Sequence, residues 1–187
     1  MSRPTRQFAT AATAAMLATA ASATAATAPA ADAAPAAPPG LSYAFTAHVQ
    51  IAAPVEQGVV DGGRQRFIAI TGGTIDGPRL KGTILPGGGD WQTILPGGLT
   101  QVVARYFIRA DDGTVIGIEN PGVRVASAEV TDKLARNEPV DPSAYYFRTT
   151  PRFTVTAGPH EWMRRAVFVA RGIRRPTEVV IHVYAVE

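Results

Sequence analysis

The sequence predicts an all-β protein, folded as a closed antiparallel β-barrel of about eight to ten strands with one short helix. From Leu41 onward, apolar residues alternate with polar or small residues at a period of two, as in strands with one buried face. Clusters of Gly, Pro, Asn and Asp interrupt the alternation at intervals of about 8 to 12 residues. An open sheet of so many strands would leave long unpaired edges, so the strands must close into a barrel or pack as a sandwich. We favour the barrel because several strands carry polar residues opposite an apolar face, which suits a partly polar interior.

The predicted strands follow one another with a turn after most of them. They cover residues 42–51, 66–70, 79–85, 90–95, 100–109, 114–120, 123–130, 145–149, 152–156, 166–170 and 178–186. The turn Asp111-Asp112-Gly113 joins two of these strands into a hairpin. Thr131 is a suitable N-cap for the only predicted helix, residues 131–137, which carries Leu134 and Ala135.

The N-terminal segment resembles an export signal. Arg3 and Arg6 supply positive charge before an uncharged apolar stretch, and small residues then fit a cleavage site after Ala23 or Ala25. The alternative is a disordered Ala/Thr/Pro tail on a cytoplasmic protein. We therefore expect a signal peptide at residues 1–25, a Pro-rich linker at 26–40 and a single domain at 41–187, in a periplasmic or secreted protein without stable membrane insertion.

Charge and composition argue against several classes of partner. Without Arg3, Arg6 and Asp32, the chain keeps 16 Lys+Arg and 14 Asp+Glu, a formal charge of +2, with the two signs interspersed. This distribution gives no basic stripe for nucleic acid. The absence of Cys excludes disulfides, thiolate metal sites and a Cys nucleophile.

Metal and cofactor motifs are also missing from the sequence. His48, His160 and His182 lie far apart, without the spacing of metal ligands. The chain has no G-x-S-x-G motif, and its glycine runs lack the residues of a phosphate-binding loop. We therefore predict no metal and no cofactor.

Short motifs spaced along residues 41–187 carry a resemblance to a known family. They are Ile70-Thr71-Gly72-Gly73, Gly77-Pro78 with Leu80 and Gly82, Leu85-Pro86-Gly87-Gly88-Gly89-Asp90-Trp91, Ala104-Arg105-Tyr106, Asp112-Gly113, Asn120 with Gly122, Val140-Asp141-Pro142, and Tyr145-Tyr146-Phe147-Arg148 leading to Pro151, Arg152 and Phe153. The pattern resembles the bacterial and fungal family called domain of unknown function 3237. The resemblance implies a small single-domain antiparallel β-barrel of uncharacterised biochemical role.

The chain departs from this family pattern at three places. Val103 stands where the family usually has Asp, and Thr154 stands where an acid is usual. The segment His160 to Arg164 replaces the motif Tyr-x-Trp-Leu-Asn. If the missing acids and amide carry a family activity, this member has lost that activity or uses other residues.

Asp90, Arg105 and Arg148 are the candidate catalytic residues. Asp90 follows a glycine-rich turn beside Trp91, where an indole at a barrel mouth would raise the pKa of the carboxyl and suit it to general acid or base work. The alternative is that Asp90 caps the turn while Trp91 plugs the barrel end. Inward guanidinium groups of Arg105 and Arg148 would clamp a carboxylate or enolate oxygen. Alternatively, these arginines pair with Asp90 or Glu119.

Aromatic and amide side chains complete the candidate ligand-binding set: Trp91, Tyr106, Tyr146, Trp162 and Asn120. The alternative is that the two tyrosines are ordinary wall residues.

Three functions agree with these features. The first is an exported β-barrel that binds a small, largely apolar and possibly acidic molecule in a cavity lined by aromatics and Arg. The second is a cofactor-free isomerase or cyclase, with Asp90 as general base and Arg105 or Arg148 stabilising an enolate. The third is a structural envelope protein without a ligand. The sequence leaves the identity of the ligand and the oligomeric state open.

Overall fold

The computed structural model describes residues 37–187, which form ten β-strands, one α-helix and two short 3₁₀ turns. The strands are β1 (Leu41–Val60), β2 (Gly63–Asp76), β3 (Gly82–Ile84), β4 (Gly88–Ile94), β5 (Leu99–Ala110), β6 (Val115–Val125), β7 (Tyr146–Thr149), β8 (Arg152–Thr154), β9 (Phe168–Arg174) and β10 (Glu178–Val186). The helix α1 is Ala128–Ala135, and the 3₁₀ turns are Pro142–Ala144 and Glu161–Arg164. The predicted signal peptide 1–25 and most of the predicted linker 26–40 lie outside the described residues.

Eight of the strands form a closed antiparallel ring in the order β1-β2-β4-β5-β6-β7-β9-β10. Pairing of β1 with β10 closes the ring, and Leu41 lies opposite Val186. The short strand β3 bridges β2 and β5, and β8 extends the sheet beside β6. The predicted closed antiparallel barrel of about eight to ten strands with one short helix is therefore confirmed.

The interior of the barrel is filled mainly by apolar side chains in two clusters. In the larger cluster, Phe153 packs edge to face against Phe45 and Phe168. In the smaller cluster, Leu134 of α1 packs with Phe147 and other apolar residues. Side chains of both clusters line a cavity inside the barrel, together with several polar side chains.

The second half of β1 extends beyond the end of β10, which the sequence did not predict. Pro54 lies within β1, although proline usually ends a strand because it has no N–H to donate. Here β10 pairs with β1 only as far as Gln50, so the later part of β1 has a single neighbour, β2. Pro54 is tolerated because this part of the strand is a sheet edge.

The helix begins earlier than predicted. Ser127 caps it by accepting a hydrogen bond from the backbone N–H of Val130, so α1 starts at Ala128 and not at the expected cap, Thr131. The residues predicted as a separate strand, 123–130, divide between the end of β6 and the start of α1. No helix among residues 37–187 is long and apolar enough to cross a membrane.

Candidate functional site

The cavity inside the barrel is the candidate functional site. The centre of a water molecule can occupy a volume of about 30 Å³ within it. A single water needs roughly 10 to 15 Å³ on this measure, so the cavity has room for about two or three waters. We call this space the chamber.

Polar side chains converge on the chamber from five strands. In residues 37–187, eight buried side-chain atoms have no hydrogen-bond partner, and six of them belong to residues that line the chamber. These six atoms are Asp90 Oδ1, Tyr106 OH, Asn120 Oδ1, Arg124 Nη2, Thr149 Oγ1 and Arg174 Nη1. Folded proteins satisfy nearly all buried polar groups, so this concentration marks the chamber as unusual.

A hydrogen-bonded chain of three side chains anchors Asp90. Arg66 Nε donates to Gln92 Oε1 at 2.8 Å, and Gln92 Nε2 donates to Asp90 Oδ2. Arg66 is also held by Glu56, whose carboxylate lies 3.9 Å from its guanidinium group. This chain fixes one oxygen of Asp90 and leaves the other, Oδ1, without a protein partner.

Burial raises the pKa of Asp90 to about 6. The hydrogen bond from Gln92 and the charges of Arg124 and Arg66 oppose this rise, and they do not cancel it. A carboxyl with this pKa exchanges its proton readily near neutral pH, which suits general acid or base work.

Two buried arginines face the chamber, and no acidic side chain of residues 37–187 forms an ion pair with either of them. Arg124 is only 2% exposed and Arg174 is 7% exposed. Burial lowers the pKa of each to about 10, and both groups remain charged at neutral pH. Arg174 Nη2 donates to Asn137 Oδ1 at 2.8 Å, while its Nη1 atom has no partner. These two guanidinium groups give the chamber an excess of positive charge.

Tyr106 supplies a neutral donor beside Asp90. Burial and the nearby carboxylate of Asp90 both raise the pKa of the Tyr106 hydroxyl, so the phenol keeps its proton at neutral pH. Its oxygen has no hydrogen-bond partner among the residues that the structure describes. The hydroxyl is therefore free to donate a hydrogen bond to a molecule in the chamber.

The rest of the chamber wall is apolar. It consists of Val49, Ile51, Ile70, Val102, Ala104, Phe147, Val179 and Ile181. Gly172 makes room for Phe147, because a Cβ atom at that position would lie 2.4 Å from the phenyl ring. A molecule in the chamber would thus meet charged groups and aliphatic surface together.

The structure brings three of the predicted site residues together at the chamber: Asp90, Tyr106 and Asn120. Asp90 neither caps the glycine-rich turn nor contacts the indole of its neighbour. Trp91 points to the opposite side of β4, where it packs against Phe67 with ring centroids 5.1 Å apart. The expected raising of the Asp90 pKa is produced by the barrel interior and not by Trp91.

The expectation that Arg105 and Arg148 face the interior is wrong. The Arg105 side chain is 61% exposed and pairs with Glu119 at 2.8 Å on the outside of the barrel. Arg148 is also exposed, and its guanidinium group lies over the ring of Tyr146. Both residues follow the outward parity of their strands, next to inward Tyr106 and Phe147.

The remaining predicted aromatics do not line the chamber either. Trp91 is 50% exposed and Tyr146 is 52% exposed, both on the outer surface. Trp162 lies in a 3₁₀ turn, where it packs against Phe168 beneath the guanidinium group of Arg79. These three residues were expected to line the cavity, and the alternation of strand faces or their position in a turn keeps them out of it.

Strand parity would have identified the arginines that the sequence reasoning missed. Arg66 shares the face of Ile68 and Ile70 in β2, and Arg124 shares the face of Ile116 and Ile118 in β6. In the same way, Arg174 follows the inward residues Phe168 and Ala170 of β9. The hydrophobic residues of each strand thus fix which of its charged residues enters the barrel.

No group of three or more acidic or His side chains in residues 37–187 is arranged to hold a metal ion. The donor set of the chamber, with two arginines and one carboxylate, suits an anion better than a cation.

Comparison with known proteins identifies similar sequences and structures. The model of a family described as "Protein of unknown function (DUF3237)" matches residues 39–186. The UPF0311 protein RPA1785 of Rhodopseudomonas palustris is 39% identical over 144 residues, which cover 77% of this chain and 94% of that protein. The crystal structure of RPA1785 superimposes with a TM-score of 0.78 at 38% identity and covers 80% of this chain and 98% of that chain. A beta-barrel like protein from Acinetobacter baumannii gives a TM-score of 0.69 at 34% identity, over 82% of this chain and 100% of that one.

Proposed function

The chain belongs to the DUF3237 family of proteins of unknown function, and we propose that this member is an exported β-barrel that binds a small molecule in its chamber. One observation carries the proposal: six buried polar atoms without a protein partner belong to residues that line a single cavity. A buried polar atom left unpaired costs about 1 to 3 kcal/mol. A small molecule that pairs with these atoms would therefore stabilise the folded protein when it binds.

The isoleucines of the barrel provide an internal test of this proposal. Ile51, Ile70 and Ile181 line the chamber, whereas Ile108 and Ile116 are buried elsewhere in the barrel. We expect a panel of small molecules, namely acetate, propanoate, acetamide, propanamide and ethylammonium, to contain at least one that shifts the methyl resonances of the first three residues. The measurement is a titration followed in ¹H–¹³C methyl spectra of isoleucine-labelled protein.

The methyl groups of Ile108 and Ile116 serve as the control, because binding in the chamber should leave them nearly unchanged. Uniform shifts of all isoleucines would indicate a general solvent effect. If no member of the panel moves the chamber methyl groups at millimolar concentration, binding in the chamber is contradicted.

A second candidate function is proton transfer on the bound molecule without a cofactor. Asp90 favours it, because its Oδ1 atom is free and burial raises its pKa to about 6. In this function Asp90 removes a proton from the carbon next to a carbonyl group, and the electron pair moves onto the carbonyl oxygen. The Tyr106 hydroxyl and the buried arginines stabilise that oxygen, in the role first expected of Arg105 and Arg148.

Export is the remaining part of the proposal. It is supported by Arg3 and Arg6 before an apolar stretch, and by the family match, which begins only at residue 39. We expect the full chain, expressed in a Gram-negative host, to appear in the periplasm or medium with its new N-terminus after Ala23 or Ala25. Cell fractionation and N-terminal sequencing measure this. A chain that starts at residue 26 is the matched control and should stay in the cytoplasm; an unprocessed full chain in the cytoplasm would contradict export.

A further inference from the structure

We propose that the guest of the chamber is a short-chain carboxylic acid, bound as its anion between Arg124 and Arg174 with its apolar part against the aliphatic wall. This inference rests on the proposed binding function and names the chemical class of the ligand.

Arg66 differs from the other two buried arginines in having a counter-charge nearby. Arg66 is compensated within the protein, since it donates to Gln92 and lies 3.9 Å from a carboxylate oxygen of Glu56. The ion pairs formed by residues 37–187 include neither Arg124 nor Arg174. A charge that is fully buried without a partner is rare in folded proteins, because desolvation is costly. These two guanidinium groups therefore need a counter-charge that residues 37–187 do not supply.

Asp90 alone cannot supply the counter-charge that Arg124 and Arg174 need. Within the part of the chain that the structure describes, it is the one carboxylate that lines the chamber, and its Oδ2 atom already accepts a hydrogen bond from Gln92. No oxygen of Asp90 lies within ion-pair distance of Arg124 or Arg174. Even with Asp90 ionised, the chamber keeps an excess of positive charge. One monovalent anion restores most of the balance.

The unpaired atoms indicate the shape of the anion. Arg124 Nη2 and Arg174 Nη1 are two N–H donors without acceptors, one on each guanidinium group. A carboxylate has two oxygens in a plane and matches guanidinium donors better than a spherical anion does. The Tyr106 hydroxyl adds a third donor, and the pKa of this group keeps it protonated.

The size and the wall of the chamber limit the rest of the ligand. Because the centre of a water molecule can occupy only about 30 Å³ of the chamber, the ligand can have only a few heavy atoms. Val49, Ile70, Val179 and Ile181 offer no polar side-chain group to the remainder of the molecule. A short alkyl chain is therefore preferred over a second charged group, and acetate and propanoate are the simplest probes of the class.

The test compares each acid with its uncharged amide of nearly the same shape. In the methyl titration, we expect acetate and propanoate to bind the wild-type protein at least about tenfold more tightly than acetamide and propanamide, because charge-assisted hydrogen bonds are the stronger ones. Arg124→Met should weaken the binding of both acids by about 10- to 100-fold. Arg105→Met, which removes an arginine from the outer surface, is the matched control and should leave the affinity unchanged.

The expected loss of affinity in Arg124→Met can be distinguished from unfolding of the variant. Because Arg124 is buried without an ion-pair partner, methionine at this position should keep or raise the melting temperature while it lowers the affinity. The comparison of acid with amide needs no variant at all. If the amides bind as well as the acids, or if Arg124→Met binds the acids as tightly as the wild type, the inference is overturned and the binding function stands. If neither acids nor amides nor ethylammonium reach the chamber, the binding function itself fails.

Discussion

Replacing Asp90 with asparagine should stabilise the protein at neutral and alkaline pH. The pKa of Asp90 is about 6 in the folded protein and 3.8 in an unperturbed carboxyl, so the folded state favours the protonated form. The stability that this group contributes is complete below pH 3.8 and is lost as the pH rises through 6. The difference between the two pKa values corresponds to about 3 kcal/mol in the free energy of unfolding. Urea unfolding at a series of pH values should therefore show Asp90→Asn gaining about 3 kcal/mol over the wild type between pH 4 and pH 8.

Asp112→Asn provides a control of opposite sign. Asp112 is exposed and accepts a hydrogen bond from the backbone N–H of Thr114 at 2.9 Å, and this bond lowers the pKa of its carboxyl. Its contribution to stability is present above the unfolded pKa and is lost as the pH falls, so Asp112→Asn should lose stability relative to the wild type as the pH rises. A stability difference between Asp90→Asn and the wild type that does not change with pH would contradict the burial of an ionisable Asp90.

The same substitution should abolish proton transfer, if the second candidate function holds. We expect the wild-type protein to accelerate deuterium incorporation next to the carbonyl group of at least one small carbonyl compound, such as pyruvate or propanal, in heavy water. Asp90→Asn should reduce this acceleration by about 100-fold or more, because asparagine cannot accept the proton. Exchange is measured by ¹H NMR as the loss of the methyl or methylene signal.

Two outcomes would contradict proton transfer by Asp90: no acceleration by the wild type, or equal acceleration by Asp90→Asn. The variant Tyr106→Phe separates the role of the Tyr106 hydroxyl from the role of the base. It keeps the base and removes a donor to the developing oxygen anion, so a smaller loss, of about 10- to 100-fold, is expected. Because Asp90→Asn should be the more stable protein near neutral pH, its loss of activity could not be attributed to unfolding.

The fold was predictable because a strand with one apolar face shows an alternation of apolar and polar residues in the sequence. The alternation from Thr100 to Arg109 and the turn at 111–113 predicted a hairpin that the structure forms between β5 and β6. The second half of β1 was not predictable from alternation, because it lies beyond the end of β10 and its residues are exposed or half-buried. Pro54 within it argued against a strand, since the sequence does not reveal which part of a strand is an edge.

The site was harder to predict, because pairing of strands decides which polar residues meet. Asp90, Tyr106 and Asn120 were selected and do line one cavity, but the arginines were chosen from the wrong face. Arg105 and Arg148 lie in alternating strands, as Arg124 and Arg174 do, but on the outward faces. The convergence of Arg124 and Arg174 depends on β6 and β9 lying on either side of β7, which no local pattern in the sequence encodes.

The pairing of Leu41 with Val186 places the two ends of the described region side by side, and the N–H of Glu187 donates to the carbonyl of Gly40 at 3.0 Å. A few glycines can therefore join residues 40 and 187, and new termini can open in the exposed turn at 111–113 without breaking a rung of the ring. Such a circular permutant would separate the barrel from its N-terminal extension and still carry every group that faces the chamber. The strand at which the chain begins can thus be changed, while the cyclic order of the strands and the alternation of faces within each strand are kept.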